Sequence, residues 1–304
     1  MAKTSSMRMT PVEWVLLVVL GTLWGGTFFF NAVALPEVPP LIVILSRVVI
    51  ASIILWAIVL ARGMVVPRNP RIWFDLTVMA ASNSAVPFFL IAWGQLHIPS
   101  GLAAIMIATT PLYAVVAAHF WTDDEAMTPG KLTGVLLGIV GVVFLIGPGV
   151  LGALGTGLMG QLAVIGAAIL YALSAIYGRR FAKQEVAPMV VATGQLSMST
   201  VMLLPFAIHF APPWELTNPS VAAWGALLGL AILSTAVAYL IYFRILATAG
   251  AVNILLVNFL VPVSALILGI FVLGEVLTAE QMIGMAFIAA GLALIDGRMF
   301  VRRS

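Results

Sequence analysis

The chain has 304 residues, of which 62% are hydrophobic and only 8% are charged. A soluble domain carries about 25% charged residues, so nearly all of this chain must lie in lipid, and no stretch is long enough for a soluble catalytic domain. Cysteine is absent, which excludes disulfides, thiolate catalysis and cysteine-ligated metals. The formal net charge of +3 comes without a basic patch interleaved with aromatic residues, so we expect no nucleic-acid partner.

Ten apolar stretches follow one another along the chain, each close to the ~20 residues that a helix needs to cross the hydrocarbon layer. The first stretch is too long for the apolar core of a signal peptide, so we interpret it as a retained helix. Short connections rich in Pro, Gly and Asn separate the stretches. The predicted membrane helices cover residues 12–33, 40–62, 71–95, 99–120, 130–148, 158–180, 187–210, 220–246, 250–273 and 279–300.

The positive charges indicate how these helices are oriented. Of the 14 Lys and Arg residues, all but Arg47 lie at helix ends or connections on one side of the predicted membrane. Because basic loops resist translocation, that side is cytoplasmic and both termini lie there. Only an even number of spans keeps Arg298, Arg302 and Arg303 on the same side as Lys3. The sequence therefore predicts an all-α polytopic membrane protein with ten transmembrane helices.

The chain also repeats itself at a spacing of about 150 residues. Five spans in each copy is an odd number, so the second copy must enter the membrane in the opposite orientation. We therefore predict two inverted five-helix units, residues 1–150 and 151–304, around a central cavity, an arrangement typical of secondary transporters. The matches between the copies are Glu125-Ala-Met-Thr128 with Glu275-Val-Leu-Thr278, Gly134 and Gly141 with Gly284 and Gly291, and Ser84-Ala85-Val86 with Thr235-Ala236-Val237.

These residues resemble the EamA-type exporters of the drug/metabolite transporter superfamily. The resemblance rests on Trp24-Gly25, Arg47, Thr110-Pro111 and the paired Glu-x-x-Thr and glycine blocks, and it covers essentially the whole chain. It implies ten helices around a central cavity, and export of amino acids or other small metabolites across the inner membrane of a bacterium. Within the family, the chain is most similar to bacterial aromatic amino-acid exporters.

Arg47 is the sharpest candidate for a substrate contact. It lies seven residues into the second predicted span, about 10 Å from the outer end at 1.5 Å per residue. A charged group at that depth is costly unless it is paired or hydrated, and no acidic residue lies at the centre of any span. Arg47 therefore either faces a water-filled cavity and holds a substrate carboxylate, or extends to the outer interface or to helix-end carbonyls.

The other candidate substrate contacts are amides and aromatic rings within the spans. Asn83, Gln195 and Asn258 must each face protein or water, because an unpaired amide is costly in hydrocarbon. The aromatic residues either form walls that stack on a flat apolar substrate, or pack against lipid and neighbouring helices. These residues are Trp24, Phe28, Phe88, Tyr171 and Tyr239.

Pro111 and Pro262 are predicted to interrupt repeat-equivalent helices, because a proline within a helix removes a backbone hydrogen bond. They serve either as hinges for alternating access or as fixed bends around the cavity. Thr128 and Thr278 are placed as N-caps of the fifth and tenth helices. Since the chain has no mid-span carboxylate and no glycine-rich phosphate loop, we expect a facilitator without strict proton coupling or ATP hydrolysis.

The sequence thus predicts an exporter of small metabolites, including aromatic or apolar amino acids, that works by alternating access. Its expected partners are a small-molecule substrate and the lipid bilayer, without cofactor or metal, and a monomer is compatible with the sequence. One alternative is an antiporter of drugs or other metabolites with protons on the same fold. Another is an intramembrane lipid-processing enzyme, which would need a nucleophile, a metal cluster or paired carboxylates at depth.

Overall fold

A computed structural model describes residues 9–122, 127–146, 156–216 and 218–296. Within these ranges the chain is helical with short connections and no strand. Eight of its helices are long and apolar enough to cross a membrane, and two shorter apolar helices follow them. Large apolar side chains such as Ile53, Val143 and Phe271 are exposed on the outside, as expected where a helix bundle faces lipid rather than water.

The helices are labelled in chain order. They are α1 (Pro11–Ala34), α2 (Pro40–Ala61), α3 (Pro70–Gly94), α4 (Ser100–Trp121), α5 (Pro129–Ile146), α6 (Thr156–Lys183), α7 (Pro188–Phe210), α8 (Val221–Ala249), α9 (Val257–Phe271) and α10 (Ala279–Asp296). Short helical turns at Pro213–Glu215 and Ala251–Ile254 precede α8 and α9.

The helix starts follow from the residues found there. Five helices begin on a proline, whose fixed φ and missing N–H suit the first turn of a helix. Thr128 and Thr278 are N-caps as predicted: the Thr128 hydroxyl accepts a hydrogen bond from the N–H of Lys131, and the Thr278 hydroxyl accepts one from the N–H of Gln281, both at 3.3 Å. Glu125, which belongs to the first Glu-x-x-Thr block, lies outside the described residues.

Three helices depart from regular α geometry, and an irregular turn precedes a fourth. α3 and α8 contain π-helical turns, at Ala81–Ala85 and Gly229–Val237. α4 is broken by a turn at residues 108–109, and a similar turn at residues 255–256 precedes α9. The ninth helix therefore begins later than predicted.

The two prolines do not interrupt helices in the predicted way. Pro111 lies in the first turn of the second part of α4, directly after the break, where its missing N–H is tolerated. Pro262 lies inside α9, which continues through it from Val257 to Phe271. The break belongs to residues 255–256 instead, and Pro262 stands more than one turn after it.

Most of the helix contacts join the first half of the chain to the second half. α1 packs against α4, α8 and α9, while α6 packs against α3 and α4; α2 and α3 both pack against α7, and α2 also contacts α8. α5 and α10 form a separate pair along glycines. A Cβ at Gly134 would lie 2.6 Å from the carbonyl oxygen of Gly291, and one at Gly141 would lie 2.7 Å from that of Gly284, so the two backbones touch.

Candidate functional site

A cavity of about 710 Å³ lies at the centre of α1–α4 and α6–α9. Its volume falls within the range of roughly 300–1,000 Å³ that is typical of small-molecule sites. One end of the cavity reaches the surface beside Ala182, Glu185 and Leu255, which are exposed. The opposite end is closed by buried side chains that include Phe28 and Ile91. The cavity is therefore accessible from one side of the bundle.

All nine residues proposed from the sequence as substrate contacts line this cavity. They are Trp24, Phe28, Arg47, Asn83, Phe88, Tyr171, Gln195, Tyr239 and Asn258. Pro111 and Pro262 are not among the lining residues, although Thr110 and Val261 beside them are. Neither α5 nor α10 contributes a described side chain to the lining.

Arg47 stays in the interior and does not extend to the membrane interface. Arg47 is only 6% exposed, and its Nε donates a hydrogen bond to the Thr235 hydroxyl at 2.8 Å. The guanidinium lies over the Phe88 ring, 3.8 Å from the centroid, which is a cation–π contact. Among the described residues that line the cavity, Arg47 is the one basic side chain and Glu185 the one acidic side chain.

The π-helical turn of α8 fixes the contact to Arg47. The Thr235 hydroxyl donates to the carbonyl of Leu230 at 2.8 Å and accepts from Arg47, so both of its roles are assigned. Within the described part of the chain, no acceptor bonds the terminal nitrogens of Arg47, whose N–H donors suit a carboxylate or phosphate. Sequence reasoning missed Thr235 as an Arg47 partner, because a pairing across 188 positions leaves no local signal.

Asn83 and Gln195 form one polar cluster that joins four helices. The Asn83 amide donates to the Gln195 carbonyl oxygen at 3.4 Å, and the Gln195 amide donates to the Tyr239 hydroxyl at 3.1 Å. Ser174 donates to the side-chain oxygen of Asn83 at 2.9 Å. The cost of burying the amides is therefore offset by their bonds to one another, as expected for polar groups within a membrane bundle.

The aromatic rings form a wall along α8 that the sequence analysis identified only in part. Trp24 lies 5.6 Å from Tyr242, between ring centroids, and Tyr239 stacks on Phe243 at 5.8 Å. Tyr242 and Phe243 line the cavity with Tyr239. This wall adjoins the buried guanidinium of Arg47, so the cavity has one cationic point within a mainly apolar surface.

The closed end of the cavity is held by an amide pair. The Asn31 amide donates to the Gln95 side-chain oxygen at 2.9 Å, and the Gln95 amide donates to the carbonyl of Phe28 at 2.8 Å. Asn31 is buried. These bonds join the end of α1 to the residue that follows α3, and they hold the backbone of Phe28, which lines the closed end.

Two carboxylates at the same end bind helix starts from the other half of the chain. Glu275 accepts from the backbone N–H groups of Ser100 and Gly101, at 2.7 and 2.9 Å. Glu37 accepts from the hydroxyl and the N–H of Ser220, at 2.7 and 2.6 Å. The Ser220 hydroxyl and N–H hold the pKa of the Glu37 carboxyl below its usual value. An anion at a helix start is favourable, because the first backbone N–H groups of a helix have no hydrogen-bond acceptor within the helix.

At the open end, Asp75 joins α3 to α6. Its carboxylate accepts from Arg180 and Tyr177, both at 2.7 Å, and from Gln184 at 2.8 Å. Arg180 also lies over the Tyr177 ring, 3.3 Å from the centroid. Asp75 is buried, both of its carboxylate oxygens accept hydrogen bonds, and it lies in the second turn of α3.

A bundle of apolar helices around a polar-centred cavity with one open end defines a membrane transporter. The family model of the EamA-like transporters matches the chain twice, over residues 12–147 and 158–296, and the chain belongs to this family. A probable terminal-alkyne amino-acid exporter of Streptantibioticus cattleyicolor is 28% identical over 98% of this chain and 97% of its own length. The uncharacterized inner membrane transporter YedA of Escherichia coli is 27% identical over 92% of this chain and 89% of its own.

The fold has also been seen in a solved structure. A crystal structure of another protein matches 97% of this chain and 99% of its own chain with a TM-score of 0.68 and 22% identity. The chain is thus a multi-pass membrane transporter of known architecture.

Proposed function

We propose that the protein exports small metabolites, including amino acids with aromatic or apolar side chains, across the inner membrane of a bacterium. The observation that carries the proposal is the buried Arg47 in a mainly apolar cavity with aromatic walls. A relative of nearly the same length is named as an amino-acid exporter, which supports the substrate class. That relatives are named as transporters argues against the intramembrane enzyme.

Arg47 supplies the point at which a carboxylate binds. Its Nε is bonded to Thr235, and its terminal N–H groups remain to make the paired hydrogen bonds that a guanidinium forms with a carboxylate. The apolar side chain of the substrate then lies against the α8 wall. Stacking on Tyr239 or Trp24 would favour flat side chains over branched ones.

We further propose ten transmembrane helices in two inverted units, residues 1–150 and 151–304, with both termini in the cytoplasm. The contacts of the helices support this, because they are nearly unchanged when each helix is exchanged for the one five places away. α1 packs on α9 as α6 packs on α4, and α3 packs on α6 as α8 packs on α1. The π-helical turns of α3 and α8 also correspond. With this topology the open end of the cavity faces the cytoplasm.

Alternating access then requires the closed end to open and the other end to close. In an inverted repeat, the two units exchange their conformations when the binding site changes sides. The Asn31–Gln95 pair and the Glu275 and Glu37 contacts at the closed end would break in that step. The turns at residues 108–109 and 255–256, near Pro111 and Pro262, are the places where α4 and the chain before α9 can bend.

Transport by the purified protein in liposomes tests the proposal. We expect saturable uptake of labelled Phe and Trp, above that of Thr and Met, without a pH gradient. Arg47→Leu should lower uptake at least about tenfold, because it removes a charged hydrogen-bond donor. Arg68→Leu, at an exposed arginine between α2 and α3, is the matched control. No uptake of any of the four amino acids by the folded protein would contradict the proposed substrate class.

A proton-coupled antiporter is the second candidate, and Asp75 is the observation that favours it. It is a buried carboxylate that joins two helices at the open end, so its protonation would loosen the contact between α3 and α6. The parent protein would then take up substrate only with a pH gradient, and Asp75→Asn would take it up at the same rate with or without one. This pair of results would establish the antiporter instead of the facilitator.

A further inference from the structure

We infer that the cavity recognises its substrate by the carboxylate, and that among the described residues it places no acidic partner within reach of an amino group beside that carboxylate. Aromatic monocarboxylates that lack the amine, such as arylacetates and aromatic 2-oxo acids, would therefore bind at least as well as the corresponding amino acids. The inference rests on the proposed function, since it takes the Arg47 cavity as the transport site. It goes beyond it by naming the charge of the preferred substrate.

The charge balance of the cavity favours an anionic ligand. Arg47 is buried, and among the described residues no carboxylate pairs with it. A buried cation is costly until an anion or water compensates it. A monoanion neutralises the site, whereas a zwitterion also brings an ammonium group next to the guanidinium, where the two positive charges repel each other.

The acidic side chain of the cavity, Glu185, lies far from Arg47. Glu185 lies in the connection before α7, whose first turn packs through Met189 and Val190 against Val59 of α2. Val59 comes 12 residues after Arg47 on the same helix, which is about 18 Å at 1.5 Å per residue. An α-amino group is attached to the carbon beside the carboxylate, so a substrate held by Arg47 cannot reach Glu185 with its amine.

The neutral oxygens of the polar cluster already accept hydrogen bonds. The side-chain oxygen of Asn83 accepts from Ser174, that of Gln195 accepts from Asn83, and the Tyr239 hydroxyl accepts from Gln195. At these three oxygens an ammonium group would have to share the acceptor with a hydrogen bond that already exists. The cluster of Asn83, Gln195 and Tyr239 is therefore a weaker partner for a cation than a free carboxylate would be.

Ser234 supplies a hydroxyl that the described part of the protein leaves unpaired. Ser234 precedes Thr235 on the π-helical turn and belongs to the cavity lining. Its hydroxyl is buried and has no hydrogen-bond partner in the described part of the chain. A hydroxyl can donate to a carboxylate oxygen. Ser234 has no exposed surface, so its hydroxyl must turn toward the cavity to become a second contact for the carboxylate, beside the Thr235 that holds Arg47.

Calorimetric titration of the purified full-length protein in detergent tests the inference with four compounds that carry the same phenyl ring. These are phenylacetate, phenylpyruvate, phenylalanine and phenethylamine. We expect both acids to bind with a dissociation constant no higher than that of phenylalanine, and phenethylamine not to bind. Ser234→Ala should weaken the binding of all three carboxylates by about tenfold to a hundredfold, the effect of one hydrogen bond to a charged group.

The controls separate this inference from the proposed function. Ser82→Ala is the matched variant, because the Ser82 hydroxyl bonds only the carbonyl of Val78 on its own helix and does not line the cavity; it should bind as the parent does. If phenylalanine binds but both deaminated acids bind more than tenfold more weakly, the inference is wrong and the proposed function stands. If phenethylamine binds as tightly as phenylalanine, the inference is also wrong. If no probe binds and no amino acid is taken up, the proposed function itself fails.

Discussion

At the scale of single residues, the environment of Arg47 decides what the cavity can hold. Arg47 is positioned by one hydrogen bond to Thr235 and by the face of Phe88. The hydrogen bond to Thr235 restricts rotation of the guanidinium. This matters for a carboxylate ligand, because two parallel N–H donors must point at it together. On the proposal that Arg47 binds the substrate carboxylate, Thr235 is a positioning residue that acts through Arg47.

Thr235→Val tests this role, since valine keeps the shape of threonine and removes the hydroxyl. The Nε–H of Arg47 would then be unpaired in a buried site, a cost of about 1–3 kcal/mol. We expect the KM for phenylalanine uptake to rise several-fold, with a smaller change in kcat. Thr200→Val is the control, because the Thr200 hydroxyl bonds only the carbonyl of Leu196 on its own helix. An unchanged KM in the folded Thr235 variant would show that Arg47 is held by other contacts.

Glu37 gives a prediction about pH at the same scale. Its pKa is lowered from the ordinary value of 4.5 by the Ser220 hydroxyl and N–H. A carboxyl with a depressed pKa stabilises the folded state fully above its ordinary pKa, and this contribution is lost as pH falls through the folded pKa. The difference in thermal stability between the parent and Glu37→Gln should therefore be largest near neutral pH and shrink below about pH 4.5.

Thermal unfolding in detergent from pH 7 to pH 3 measures this difference. Glu215→Gln is the matched control, as Glu215 is an exposed glutamate on the connection that leads to α8. A difference for Glu37→Gln that stays constant over the whole range would mean that the carboxylate charge plays no part in the contact with Ser220.

At the scale of helices, the sequence contained most of what the structure has. Apolar length and the prolines at helix starts locate α1 to α8 within a few residues, because both signals act locally. The π-helical turns at Ala81–Ala85 and Gly229–Val237 were not predicted, since their composition is that of an ordinary membrane helix. They matter for the site, because Asn83 lies on the first, and Ser234 and Thr235 lie on the second.

The α5–α10 pair provides the prediction at this scale. A side chain at Gly284 would lie 2.7 Å from the carbonyl oxygen of Gly141, which is too close for any Cβ. Gly284→Val should therefore separate the two helices and lower stability by about 1–3 kcal/mol or more. Uptake per folded molecule should change little, because the described residues of these helices do not line the cavity.

Gly225→Val on α8 is the control for this variant, since a Cβ at Gly225 meets no atom within 4 Å. Both variants are compared by their unfolding midpoints in detergent and by initial uptake rates normalised to folded protein. Equal midpoints would mean that α5 and α10 can move apart at no cost, which would contradict the close packing of their backbones.

At the scale of the whole molecule, the polar residues that line the cavity could be predicted because a polar side chain that faces hydrocarbon is costly. The cost of burying a charge or an amide in hydrocarbon directs such side chains toward the interior of a bundle, and Arg47, Asn83, Gln195 and Asn258 all line the cavity. Their partners could not be predicted, because Arg47 meets Thr235 only through the packing of α2 on α8. Such contacts depend on helix rotation, which composition does not encode.

The closed end yields the prediction that belongs to the molecule as a whole. The Asn31–Gln95 pair contributes to the present arrangement, so Asn31→Ala should favour the arrangement that opens at this end. A net loss of about 1 kcal/mol would change the ratio of the two states about fivefold. The chain has no cysteine, so single cysteines report on each end. Ile91→Cys lies at the closed end and Ala182→Cys at the open end.

A membrane-impermeant maleimide applied to one side of oriented vesicles reads both positions. In Asn31→Ala, labelling of the cysteine at position 91 from the outer side should rise several-fold, and labelling at position 182 from the cytoplasmic side should fall. The two changes must occur together, because one cavity cannot be open at both ends in alternating access. Asn69→Ala, which removes the cap of α3, is the control. A rise at position 91 without a fall at position 182 would indicate a local opening, and the two ends would then not be coupled.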